Sequence, residues 1–241
     1  MTAGTGGVVR PERGWPHRTL LAALGPEDRD ALFRLGVRQA FGRGEPLITE
    51  GDRTREVFVI LKGCAKTFGS SVDGREVLLA ILVRGDMAGE IAALDDGPRL
   101  SAVVAATPGE VLVVSQPRFL AFHTSRPQAA LAISRSLSAK LRLVTRHRLD
   151  VTGGPVVKRL ARTLGYLVES CSTPCPEGYR IDVPLSQTEL ASLIGASLPA
   201  LYRATGALRA RGVLLTNYRE QIVMDPELLE KISRESDDDF E

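Results

Sequence analysis

The sequence predicts an α+β protein: a first half of short strands, one long helix, and a C-terminal half built on a helical pair followed by a hairpin. Three observations predict it. Between Val37 and Gln116, short apolar runs alternate with turn residues at regular spacing, the pattern of an all-β sandwich or barrel. From Arg126 to Asp150 there is no glycine, and apolar residues recur at helical spacing. From Leu185 to Ser197 a serine-led helix start is followed by a glycine turn and a second serine.

The chain has 241 residues, 44% hydrophobic and 25% charged, enough for one large domain or two ordinary ones with real cores. The formal net charge is only +2, but its distribution is uneven. No acid lies between Glu110 and Asp150, where Arg118, Arg126, Arg135, Lys140, Arg142, Arg146 and Arg148 fall. The tail Glu235, Asp237, Asp238, Asp239 and Glu241 offsets them. The basic stretch is either an attraction for an anionic partner or a solvated helix face. Cys64, Cys171 and Cys175 are too few for a secreted disulfide scaffold. Cys171 and Cys175 read as a bridge, part of a metal site, or two ordinary loop thiols, the last being the simplest. The first fifteen residues carry Arg10 and Arg13 but no apolar run, unlike a signal peptide. No stretch is long and apolar enough for a bilayer span, so a cytoplasmic location with no membrane partner is expected.

In chain order, residues 1–17 have little to bury and are expected to be a disordered tail. The β domain follows over 18–125. It opens with a helical pattern from Leu20 to Leu35, broken at Gly25-Pro26. Strand candidates are Leu47-Ile48, Val57 to Leu61, Val77 to Val83, Val103 to Ala106 and Val111 to Val114, each followed or separated by turn residues. The long helix occupies 126–151, with Pro127 tolerated in its first turn. Ile133, Leu137, Leu141 and Val144 make one apolar stripe. It pairs with a partner helix in a homodimer or packs on the chain's own β domain; a long inter-domain helix with little core of its own favours the dimer. Thr152 to Pro155 breaks the chain and starts a C-terminal domain over 152–234, whose first helix runs from Val156 to Glu169. An acidic tail closes the chain at 235–241.

Within that domain Ser186 caps a helix and Glu189, three residues on, completes a capping box. Leu190, Leu193 and Ile194 form its apolar side, and Ala191 is small where a second helix must cross. Gly195 falls where a left-handed turn is needed. Ser197 caps the next helix, with Pro199 in its first turn. Leu201 and Leu208 face inward, while Arg203, Arg209 and Arg211 leave the buried side. After Gly212, Val213 to Leu215 and Gln221 to Val223 form a hairpin around Tyr218-Arg219, and Asp225-Pro226 opens a last helix. Two helices, a tight turn, a basic second helix and a wing fit a winged helix-turn-helix. An αα-hairpin in an ordinary core accounts for neither the arginines nor the basic wing.

These motifs, together with Val57 to Gly63 and the block Gly85-Asp86-Met87-Ala88-Gly89-Glu90-Ile91-Ala92-Ala93-Leu94, resemble the CRP/FNR family from about Leu20 to Ile232. The resemblance implies a cyclic-nucleotide-binding-type β-roll (jelly roll), a dimerisation helix, and a winged helix that binds two-fold symmetric operators on double-stranded DNA. RNA polymerase is an implied partner if the protein activates. In members that bind cyclic AMP or another cyclic nucleotide, the residue matching Glu90 takes the ribose hydroxyl. Backbone N–H groups near Gly89 and Ile91, with an arginine and a hydroxyl residue, take the phosphate. Arg99 and Ser101 are the matching residues here, but Leu100 intervenes where the family has the arginine directly before the hydroxyl. Glu90 has a plainer reading as a local turn cap. The paired hydroxyls that meet adenine from the long helix are Val144 and Thr145 here, so one is lost. The N-terminal cysteine cluster of iron–sulfur members is absent, so no such cluster is expected. His17, His123 and His147 are isolated and read as surface or satisfied histidines.

Expected DNA contacts are Ser186 and Gln187 of the first helix, Ser197, Leu198, Pro199, Tyr202, Arg203 and Arg209 of the second, and Arg219 of the wing. Leu198 and Pro199 stand where relatives often carry an Arg-Glu pair, so the operator is expected to differ, with Tyr202 and Arg203 as base contacts. No nucleophile elbow, metal-ligand spacing or Walker loop is present, so no enzyme is expected. The alternative is a nucleotide-binding regulatory module that works through protein partners, against which the winged helix argues.

Overall fold

The computed structural model describes residues 14–17, 19–71, 74–217 and 220–235. Most of the expected N-terminal tail, nearly all of the acidic tail, and Tyr218 and Arg219 at the wing tip therefore lie outside the described residues.

The β domain begins with α1 (Leu20–Ala23), capped by the Thr19 hydroxyl, and α2 (Pro26–Leu35), which starts on a proline as the Gly25-Pro26 break predicts. The strands β1 (Val37–Phe41), β2 (Pro46–Ile48), β3 (Val57–Lys62), β4 (Ala65–Ser70), β5 (Glu76–Leu82) and β6 (Met87–Ala88) follow. Then come α3 (Glu90–Asp95), β7 (Ala102–Ala105), β8 (Gly109–Val114) and α4 (Gln116–Ser125). The strands make two antiparallel four-stranded sheets, ordered β1-β8-β3-β6 and β2-β7-β4-β5, the two-sheet roll the sequence predicts. Phe41, Ile48, Ile60, Leu82, Val103 and Val111 come from both sheets and fill the space between them.

The long helix α5 spans Pro127–Gly153. Its stripe divides. Ile133 is fully buried (0% exposed) among Leu20, Leu21, Phe119 and Phe122, and Leu137 packs against the same group. Ile133 belongs to the core of the chain's own domain, the alternative to a partner seam at that position, while Leu137 is half-buried beside it. Leu141 and Val144, one and two turns further on, are 67% and 66% exposed.

The C-terminal domain contains α6 (Val156–Cys171), β9 (Ser172–Cys175), β10 (Gly178–Ile181), α7 (Gln187–Leu193), α8 (Leu198–Ala210), β11 (Leu214–Asn217), β12 (Glu220–Val223) and α9 (Pro226–Arg234). The wing strands β11 and β12 extend into a four-stranded sheet ordered β11-β12-β10-β9. An isolated two-stranded hairpin is marginal in water; the added hairpin ties this wing to the end of α6. Cys64, Cys171 and Cys175 are free thiols, and the latter two lie at the end of α6 and the end of β9 rather than in a loop.

Candidate effector cradle and DNA-reading surface

The turn that introduces the cradle is built by Asp86. Its carboxylate accepts the Val83 N–H at 2.9 Å. Burial pushes this carboxyl up to about 6 from an ordinary 3.8, only partly opposed by the Val83 hydrogen bond and the Lys140 charge. The folded state thus holds a proton that the unfolded chain releases between these values. The stabilising effect of that proton is complete below about 3.8 and is lost as pH rises through about 6. Asp86→Asn keeps an acceptor and cannot ionise. It is expected to exceed the wild type in stability by about 1–3 kcal/mol at pH 8 and to lose the advantage near pH 4. Urea melts at the two pH values check this.

Gly89 then adopts φ 83°, a left-handed conformation that glycine tolerates, and begins α3. Glu90 is buried and receives the Lys140 ammonium at 2.6 Å, while the same Nζ donates to the Met87 carbonyl at 2.5 Å. The helix residue that reaches the cradle is therefore Lys140, while Val144 and Thr145 lie exposed further along. Lys140 precedes Val144 by four residues and so shares its helix face, a relation the sequence contains but that acquires meaning only once α5 is placed.

Arg99 departs most from expectation. Its residue is 3% exposed. Nε donates to the Thr54 hydroxyl at 3.0 Å, Nη1 to the Gly89 carbonyl at 3.0 Å and Nη2 to the Glu56 carbonyl at 2.8 Å. A side chain on Gly89 would strike this guanidinium, at 2.4 Å from Nη1. Burial pulls the Arg99 pKa below the ordinary arginine value, against the raising influence of Glu56 and Asp52; the group stays charged. Three of its donors go to the Thr54 hydroxyl and the Gly89 and Glu56 carbonyls, so in this structure Arg99 is a buried clamp joining the 51–56 loop to the start of α3 rather than a side chain held open for a phosphate. Leu100 stands where the resemblance places the arginine and is 71% exposed. Ile91 is exposed and Ser101 half-buried. Three of the five guanidinium N–H groups are used within the chain and Lys140 holds Glu90 Oε1, so a cyclic phosphate would share or displace these partners.

The DNA-reading surface matches its sequence signals closely. Ser186 Oγ accepts the Glu189 N–H at 3.2 Å and Glu189 accepts the Ser186 N–H at 2.8 Å, a complete capping box. Gly195 has φ 59° in the turn, and Ser197 Oγ accepts from Ala200 N in the first turn of α8. Leu201 and Leu208 are fully buried, while Ser197, Pro199, Tyr202, Arg203 and Arg209 are exposed. Gln187 and Leu198 are half-buried, and Arg219 lies outside the described residues. Burial works to raise the Glu189 carboxyl, but hydrogen bonds from Lys66 and Ser186, with the Lys66 charge, outweigh it and hold it below the ordinary value.

Residues 38–126 match the cyclic nucleotide-binding domain family and residues 158–232 the Crp-like helix-turn-helix domain family. The CRP-like cAMP-activated global transcriptional regulator of Mycobacterium tuberculosis is 28% identical, over 80% of this chain and 87% of that protein. The cyclic AMP receptor protein of Thermus thermophilus is 26% identical, over 89% and 96%. Among solved structures, the Thermus thermophilus catabolite activator protein has 26% identity and a TM-score of 0.50, covering 89% of this chain and 97% of that one. The c-di-GMP responsive global regulator of Xanthomonas campestris has 21% identity and a TM-score of 0.67, covering 83% and 100%, a likeness of fold. The two domains in this order, joined by α5, identify the chain as a member of the CRP/FNR family of DNA-binding transcription regulators.

Proposed function

We propose that this regulator binds a two-fold symmetric operator as a homodimer, with α8 in the major groove, Tyr202 and Arg203 reading base edges, and the wing on phosphate. The supporting observation is the outward side of α8: Tyr202, Arg203 and Arg209 are exposed while Leu201 and Leu208 are buried, and Arg203 lies nearly opposite those leucines. Relatives differ in what they sense, cyclic AMP in the Mycobacterium protein and c-di-GMP in the Xanthomonas one. In this chain a gating effector, where one acts, meets an Arg99 already engaged by Thr54, Gly89 and Glu56. Contact with RNA polymerase and action in the cytoplasm belong to this reading; among the described residues no helix is long and apolar enough to cross a membrane.

Arg203→Ala is expected to cost about 1–3 kcal/mol of operator binding and to relax preference at one base pair per half-site. Half-sites are expected about one helical turn apart, or a multiple of that. Selection of binding sites from random DNA with wild type and variant checks this. An identical motif with unchanged information at every position would remove Arg203 as a base reader and leave Tyr202 or DNA shape to carry specificity.

A further inference from the structure

The outward side of α8 carries a restricted set of groups. On the helix Leu201, Ala204, Thr205 and Leu208 fall on one side and are buried. Pro199, Arg203, Gly206 and Ala210 fall on the other and are exposed, with Tyr202 beside them at 57% exposure. From Leu198 to Ala210 there is no carboxylate and no side-chain amide. Ser197 Oγ accepts the Ala200 N–H as the helix cap, and the Thr205 side of the helix is turned to the core.

Each base presents its own groups in a major groove. A carboxylate reads cytosine through its amine, the amide of Asn or Gln reads adenine, Arg or Lys reads guanine, and apolar contact reads the thymine methyl group. The first two means are missing from α8. Arg203 supplies the third. Pro199, whose ring has neither donor nor acceptor, supplies the fourth, together with the ring of Tyr202 three residues on. In a helix-turn-helix the N-terminal residues of the second helix meet the base edges, and Pro199 lies in the first turn of α8. One turn beyond Tyr202 the face flattens. A Cβ built on Gly206 meets nothing within 4 Å. The packing of the protein therefore does not call for glycine there, although glycine is among the poorest residues in a helix interior. Gly206, Ala207 and Ala210, all exposed, leave nothing long to hold α8 off a duplex.

Resting on the DNA-binding reading above, we infer that α8 reads thymine by its methyl group: Pro199 and the Tyr202 ring pack on the C5-methyl of a thymine in each half-site, beside the guanine taken by Arg203. Pro199 and Arg203 are four residues apart, about 6 Å along the helix. At about 3.4 Å per base-pair step, the thymine lies one or two base pairs from that guanine. A duplex that lacks only this methyl is then a poorer target, although every hydrogen bond to the base is kept.

Sites selected from random duplexes by the wild-type protein supply the operator. Each thymine of the half-site is then replaced in turn by deoxyuridine, which removes one methyl and no hydrogen-bonding group. At one position the affinity is expected to fall about fourfold, the effect of one buried carbon. Pro199→Ala and Tyr202→Ala are each expected to shrink this thymine-to-uracil ratio, and the double variant to abolish it. The ratio is taken within one protein, so a change in its stability cancels, and the deoxyuridine series itself needs no variant. Selective binding that tolerates deoxyuridine at every position overturns methyl reading and leaves the DNA reading standing, as does a selected half-site without thymine. A fourfold ratio that survives in the double variant overturns the assignment to Pro199 and Tyr202. Failure of the wild type to enrich any motif overturns sequence-specific DNA binding, and methyl reading with it.

Discussion

Replacing Arg99 with alanine is expected to destabilise the protein by about 2–3 kcal/mol with no nucleotide present. The Gly89 and Glu56 carbonyls and the Thr54 hydroxyl, in part-buried hydrogen bonds, would lose a charged donor. Hydrogen bonds to charged groups are worth about 1.5–3 kcal/mol each, and an orphaned buried acceptor adds its own desolvation cost. These terms are not additive, and water reaches the part-buried acceptors, which keeps the total near that of a single charged hydrogen bond. Arg99→Lys is expected to recover only part of the loss, because an ammonium cannot span three acceptors set by a planar fork. Urea denaturation of the apo protein measures both. A variant as stable as wild type that has lost heat of binding to cyclic AMP would instead return Arg99 to the ligand. The predicted outcome makes the clamp part of the fold, so the left-handed Gly89 serves the packing of Arg99.

The double variant Leu141→Asp, Val144→Asp is expected to convert a dimer into folded monomers. Both side chains are about two-thirds exposed in the single chain, so the charges cost little there. At a helix seam each would cost several kcal/mol unless paired. Sedimentation velocity and circular dichroism together test it: monomer mass with wild-type helicity is expected, and a persistent dimer places the interface elsewhere. Leu137→Asp serves as the contrast. Leu137 packs with the α1 and α4 residues of its own domain, so its replacement is expected to lower the melting temperature as well as any association.

The parts of this molecule that are legible in its sequence are those specified within a few residues. The capping box, the glycine turn and the second cap all lie between Ser186 and Ser197 and fold as read. The strands with uninterrupted apolar runs, such as Val57 to Leu61, are visible for the same reason. β1 and β4 are not, because Val37–Phe41 is mostly exposed and Ala65–Ser70 carries Lys66, Thr67 and Ser70 in place of an alternating apolar face. The contacts of the cradle are not legible in the sequence because its decisive partners are distant. Thr54 and Glu56 lie more than forty residues before Arg99, and Lys140 lies 50 residues after Glu90. The Lys66 to Glu189 contact spans 123 residues. Periodicity reports which face of an element is apolar; it does not say what a buried charge meets across the fold.

The pairing of β1 with β8 sets a schedule for the birth of the domain. Val37 is the partner of Val113, so the first strand of the roll has no place to bond until the last has been made. At about 5–20 residues per second of synthesis, β1 waits roughly 4–15 s as an unpaired strand. Such a strand is an invitation to aggregation. Its sequence, Val-Arg-Gln-Ala-Phe, answers this with Arg38 and Gln39, and even in the finished sheet it stays on the outer edge. Pairings this far apart in sequence also slow folding, since loop closure precedes any reward from the ladder. The polar character that hides β1 from a search for strands is what allows a nascent chain to carry it safely until β8 arrives.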